Sequence, residues 1–159
     1  MRSIVYCSLL KSEIGDILIT ANTSKLLGIS FAEEVYTINE NEITRYVKKE
    51  LEEYLQGTRK YFSFYDFDIT GFQARVLEEV AKIPYGRCMT YKQIAKRIGS
   101  PTSSRAVARA IAANPYLIII PCHRVIGSDG KLHGYQGGIE RKKYLLLLER
   151  KYTEIDTTC

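Results

Sequence analysis

A chain of 159 residues, 45% of them apolar, holds one medium domain or two small ones around a real core. No apolar run approaches the ~20 residues that cross a bilayer, so a membrane span is excluded by the pattern. Charge divides the chain: residues 1–79 carry 9 Lys/Arg against 13 Asp/Glu, and residues 80–159 carry 14 against 5, a net of −4 followed by a net of +9.

Residues 4–10 are apolar, but Lys11 follows with no small-residue cleavage pattern, so they are read as a first strand rather than a leader, and a cytoplasmic location is expected. Further strand-like runs cover 16–21 and 26–31, separated by the turn-rich stretches 11–15 and 22–25. From Asn39 to Gln56 the spacing becomes helical. Ile43, Tyr46, Val47, Leu51, Tyr54 and Leu55 fall on one face, Asn39 with Glu42 fits a capping box, and Gly57 fits the stop. An aromatic, extended segment returns at 61–69. This half offers no compact set of reactive residues, and its tyrosines and phenylalanines are read as core or strand faces.

The second half changes character at Phe72. Phe72, Val76, Leu77, Val80 and Ile83 mark a helix that stops at Pro84-Tyr85-Gly86. A second helix starts at Thr90, with Gln93 as its capping-box partner, and ends at Gly99. A short connection leads to a third helix over about 103–113, closed by Asn114-Pro115. Two short helices around a glycine-containing turn fit a helix-turn-helix, a pattern many helical hairpins share. The third helix, SSRAVARAIAAN, turns Val107 and Ile111 inward and repeats Arg105 and Arg109 at i, i+4 among alanines. It reads either as a good helix former packed closely on its neighbours or as a helix stripped of bulk so that its backbone approaches DNA. No acidic residue stands between Glu79 and Asp129, whereas Lys82, Arg87, Lys92, Lys96, Arg97, Arg105, Arg109 and Arg124 do. That distribution fits a solvated basic face or a polyanion site.

Cys7, Cys88, Cys122 and Cys159 lack CxxC spacing, and the only histidines are His123 and His133. A zinc site is therefore not expected, nor any cofactor, and free thiols in a reducing compartment are the simplest account. The reactive candidate follows the buried run 116–120: Pro121, then Cys122, His123 and Arg124 in succession. A thiol attacks as thiolate, and imidazole or positive charge nearby lowers its pKa. Adjacency alone does not establish this, because neighbours in an extended chain point to opposite faces.

The string PCHRV at 121–125, preceded by NP at 114–115 and followed by GYQGG at 134–138, resembles the O6-alkylguanine-DNA alkyltransferases, or methylated-DNA–protein-cysteine methyltransferases. The likeness runs from about residue 72 to residue 149 through PYG, TYKQIA, SRAVARAIAANP, IPCHRVIG and GYQGGIERKKYLLLLE. The first half resembles the family only in its α/β pattern and length. The resemblance implies an α/β N-terminal domain over 1–68, ribonuclease-H-like with an antiparallel sheet plus helix. A mainly α C-terminal domain with a winged helix-turn-helix would follow over 69–159.

It also implies a role for particular residues. Cys122 matches the alkyl acceptor; His123 and Glu149 match the pair that, through a water, deprotonates it. Asn114 matches the asparagine bracing the turn before the acceptor, and Tyr91 the donor of a proton to the departing guanine. Arg105 matches the arginine that fills the place of the flipped nucleotide. Ala106, Ala108, Arg109 and Ser128 are expected against the nucleic acid, with Val125, Tyr135 and Gln136 around the guanine. The implied partner is double-stranded DNA, bound through the minor groove by a monomer, and the implied reaction is stoichiometric and irreversible. Departures are Gln136, where many relatives carry serine, and Ala108, where glycine is common. The first-domain zinc ligands of some relatives cannot be assembled here. A non-enzymatic binder of alkylated DNA would lack Cys122, and a helix-turn-helix regulator would carry a dimerisation element, of which there is no sign. The range of alkyl sizes and the acceptance of alkylated thymine stay open.

Overall fold

The computed structural model describes residues 4–132 and 134–153. His133, Cys159 and most of the polar tail fall outside them. The chain forms two compact units, one of residues 1–68 with 115–117, the other of 69–114 with 118–159.

In the first unit β1 (Tyr6–Leu10), β2 (Ile17–Ala21) and β3 (Leu26–Phe31) form an antiparallel meander in the order β1-β2-β3. Asn22 sets the second turn by accepting from the Ser24 and Lys25 amides, both at 2.8 Å. One face of the sheet is covered by α1 (Glu42–Leu55), with Ile17, Ile19, Leu26, Ile29, Val47, Leu51 and Tyr54 buried. The expected Asn39–Glu42 capping box does not form. Asn39 instead pairs with Cys7 along the β1 edge, and Asn41 caps the helix in a box with Thr44. The inward face also differs: Tyr46 is half exposed, while Thr44 and Glu50 are buried. Glu50 is compensated by Arg59 at 2.7 Å, by the Ser63 amide and hydroxyl, and by the Tyr65 hydroxyl. Those bonds tie the 59–65 segment to α1 without a strand ladder, so Tyr61 and Phe64, expected on core or strand faces, point to solvent. Residues 115–117 join this unit at the free edge of β3, through Ile29 N–H to Pro115 O at 2.9 Å and Leu117 N–H to Ile29 O at 3.2 Å. The Tyr116 ring packs on Phe67 and its hydroxyl donates to Leu26 O.

The second unit is mainly helical. α2 (Gly71–Ala81), α3 (Tyr91–Arg97) and α4 (Ser104–Ala112) pack through Val76, Leu77, Val80, Ile94, Val107 and Ile111. The predicted Thr90–Gln93 capping box is present at the start of α3. Gly99, with φ 76°, opens the turn to α4, a backbone conformation costly for any other residue. The short β4 (Met89–Thr90) pairs with β5 (Val125–Ile126), which a 3-10 turn, Cys122–Arg124, precedes. A tight turn at 127–131 follows β5 where a winged helix-turn-helix carries its wing, and α5 (Ile139–Lys151) completes the unit. Cys7 and Cys122 are free thiols. No helix among the described residues is long and apolar enough to cross a membrane.

Candidate active site

The site grows from the loop between α4 and β5. Asn114, fully buried just beyond α4, donates its side-chain amide to Ile120 O at 3.0 Å and so closes the loop on itself. Inside that closure Ile118 takes φ 73°, a left-handed geometry that a β-branched residue rarely adopts, and it is held there by burial on all sides. Pro121 then leads into the 3-10 turn. With three residues per turn, successive side chains fan out about 120° apart rather than alternating. Cys122, His123 and Arg124 thus point in three directions from one buried turn, which is why adjacency in sequence here becomes a single site.

His123 and Arg124 converge on Glu149 of α5, which is 1% exposed. The His123 Nε2 lies 2.6 Å from one carboxylate oxygen, Arg124 donates Nε and Nη2 at 2.9 and 3.0 Å, and the Gly86 amide donates at 3.0 Å. Arg124 also gives Nη1 to Ile83 O at 2.7 Å. Burial by itself would raise the Glu149 pKa, but His123 and Arg124 outweigh it and hold the carboxyl well below the usual carboxylate range. For His123 burial dominates and pushes its pKa down, with Arg124 and Lys142 adding to the effect and Glu149 opposing it. The pair is therefore a neutral imidazole donating Nε2–H to a charged carboxylate, which makes Nδ1 the basic nitrogen of the ring.

Cys122 is 2% exposed, and burial pushes its thiol up to about 11, partly offset by a hydrogen bond from the Asn114 side chain and by the Lys142 charge. Adjacency to His123 and Arg124 in sequence thus does not lower the Cys122 pKa; burial is the largest influence on it. Burial pushes the Tyr91 and Tyr135 hydroxyls up, and the neighbourhood of Cys122 adds to the effect. The Tyr135 ring meets His123 edge-on, with centroids 6.5 Å apart. Lys142, buried in α5, donates to Val125 O at 2.6 Å and sits 5.9 Å from the centre of the Tyr91 ring; burial lowers its pKa to about 8.

Of the residues singled out from sequence, Cys122, His123, Glu149, Asn114, Tyr91, Val125 and Tyr135 gather around this turn. Arg105, Ala106, Ala108 and Arg109 lie on α4, both arginines exposed, and Ser128 and Gln136 are exposed on the loop between β5 and α5. Sequence reasoning passed over Arg124 as an anchor, over Gly86 and over Lys142. Lys142, Leu145 and Glu149 repeat at i, i+3, i+7, so a lysine there shares the buried face, a signal that was present in the pattern. No cluster of three or more metal-ligating side chains occurs among the described residues.

Two family models match the chain: a "6-O-methylguanine DNA methyltransferase, ribonuclease-like domain" over residues 5–69, and the corresponding "DNA binding domain" over residues 71–151. A methylated-DNA–protein-cysteine methyltransferase of Methanosarcina barkeri is 40% identical over 156 residues, covering 91% of this chain and 97% of its own. A protein of the same description from Mycobacterium leprae is 36% identical over 92% and 93% of the two chains. Among solved structures, the O6-methylguanine methyltransferase of Mycobacterium tuberculosis superposes with a TM-score of 0.85 at 36% identity, over 96% of this chain and 97% of that one. The M. tuberculosis protein in complex with DNA superposes at 0.84, over 93% and 94%.

Proposed function

Because the chain belongs to the 6-O-methylguanine DNA methyltransferase family, we propose that it repairs DNA directly, moving the alkyl group of an O6-alkylguanine onto its own Cys122. The observation that carries this reading is the buried Cys122 in one turn with His123, whose Nε2 lies 2.6 Å from the Glu149 carboxylate. An alkylated oxygen inside a duplex is out of reach of a side-chain sulfur, so the nucleotide must be extruded. Extrusion costs a few kcal/mol of unstacking, and Arg105, exposed on α4, offsets part of that cost by entering the stack. Arg109 holds phosphate, and Ala106 and Ala108 let α4 approach the minor groove closely. Val125, Ser128, Tyr135 and Gln136 bound the guanine.

In the reacting complex His123 Nδ1 takes the thiol proton through a water, and Glu149 steadies the imidazolium that forms. The sulfur attacks the alkyl carbon in line. The S–C bond forms as the C–O6 bond breaks, and Tyr91 gives its proton to the departing base. The proton held by His123 restores the tyrosine, so the net transfer is of alkyl to sulfur and of one proton to guanine. The product is a thioether with no carbonyl for water to attack, which makes the reaction single-turnover. Residues 1–68 serve as scaffold and 69–159 as the DNA-binding and acceptor domain, in a monomer working in the cytoplasm. Intact-mass measurement after mixing with a duplex containing O6-methylguanine tests the assignment. The protein gains one methylene per chain, and Cys122→Ser abolishes the gain while still binding DNA. Methyl appearing on another cysteine overturns it.

A further inference from the structure

The first unit holds a cleft that the transfer just described does not use. It opens between the β2–β3 turn, the first two turns of α1 and the chain at 64–66, encloses about 320 Å³, and is lined by Tyr46, Phe64 and Tyr65. Small-molecule sites start at roughly that size, ~300 Å³. Two of the rings are tied down at their far ends. Ser63 donates its hydroxyl to the buried Glu50 at 2.9 Å, so the Tyr46 hydroxyl, 3.0 Å from the same Ser63 oxygen, is the donor there, and Tyr65 donates to Glu50 directly. Both hydroxyls are spent on the Glu50 network, and what these tyrosines bring to the cleft is ring surface. Phe64 brings the same and is 95% exposed. A ligand that covers rings already held in place loses little to ordering them.

The charges among the rings set the class of ligand. Glu42 and Asp66 line the cleft, both exposed and neither in an ion pair, against a single cation, Lys25. The half of the chain around them, residues 1–79, carries a net of −4, which repels anions such as nucleotides and draws in cations. Aromatic faces attract cations through the ring quadrupole, and alkylated ammonium groups are the ligands that clustered rings recognise. From this juxtaposition we propose that the cleft binds a small organic cation with an alkylated ammonium head, seated among Tyr46, Phe64 and Tyr65 and balanced by Glu42 and Asp66. Binding here makes and breaks no covalent bond and involves no residue of the acceptor turn.

Choline is the probe, and 3,3-dimethylbutan-1-ol, its uncharged carbon counterpart, is the comparison. Each is titrated into the 159-residue chain while the aromatic-ring resonances are followed by NMR. Choline should saturate and bind roughly fivefold more tightly than the alcohol, about 1 kcal/mol in favour of the charge. Phe64→Ala should remove most of that preference. Glu42→Gln combined with Asp66→Asn should weaken choline by a similar factor and leave the alcohol unchanged. All three side chains are exposed, so the variants keep the fold, which circular dichroism checks. Equal affinity for the two probes, no saturable binding of choline, or choline affinity indifferent to both variants overturns the site.

Discussion

Replacing Arg124 by methionine tests whether the Glu149 network holds the acceptor turn in place. Arg124 gives two hydrogen bonds to the Glu149 carboxylate and a third to Ile83 O, all of them buried. Removing one partner of a buried ion pair leaves an uncompensated charge, which costs ~3–5 kcal/mol. In a chain of this size each kcal/mol moves Tm by roughly 2–4 °C, so the variant should melt on the order of 10 °C lower at pH 8. The pH dependence sharpens the test. The Glu149 pKa is depressed in the folded state, so its contribution is full above the unfolded value and is lost as pH falls through the folded one. The His123 pKa is also depressed, so the folded state favours neutral imidazole and loses stability as pH falls below its unfolded value of 6.5. Both effects make the wild type weaken on acidification. Without Arg124 one repulsion of the His123 proton is gone and Glu149 lacks a counter-charge, so the imidazole takes up a proton more readily. The Tm gap between wild type and Arg124→Met should therefore narrow from pH 8 to pH 6, as followed by thermal melts monitored by circular dichroism. A gap equivalent to less than ~1 kcal/mol, or one that widens on acidification, would refute the network's role.

His123→Ala should slow alkyl transfer by ~10²–10⁴-fold, the usual worth of a general base, while the thiol pKa stays raised, because burial, opposed by Asn114 and Lys142 rather than by His123, sets it. The pH dependence of iodoacetamide labelling at Cys122 checks the second half, and a large upward shift would mean the imidazole stabilises a resting thiolate. On α4, Arg105→Ala should cut the single-turnover rate on duplex DNA far more than the rate on free O6-benzylguanine. Arg109→Ala should weaken binding modestly, lower its salt dependence by about one charge, and react normally at saturating DNA. Equal rates for the two variants at saturation would reduce α4 to a basic clamp.

What sequence conveys about this protein follows from the range of the interactions involved. The Thr90–Gln93 box and the end of α4 before Pro115 are local, set by residues three or four apart, and they stand where the pattern puts them. The Asn39–Glu42 box was equally plausible on local grounds and fails for a non-local reason: Cys7, thirty-two positions earlier, takes the Asn39 backbone into the sheet edge, and Asn41 becomes the cap. The exposure of Tyr61 and Phe64 has the same origin, since Glu50 on α1 claims the Ser63 amide and the segment has no strand to pair with. At the site, Cys122 and His123 were visible as a string, but not the turn that separates their directions. An extended PCHR would place Cys122 and Arg124 on one face and His123 on the other; a 3-10 turn sends all three apart, and Glu149, twenty-five residues on, gathers two of them. The electrostatics were equally out of reach of the string: Arg124 is spent on Glu149, and burial, the largest influence on Cys122, pushes its thiol up to about 11. A buried thiol whose pKa burial pushes up suits a protein proposed to react once: a group that a second event cannot replace is shielded from solvent and from adventitious electrophiles.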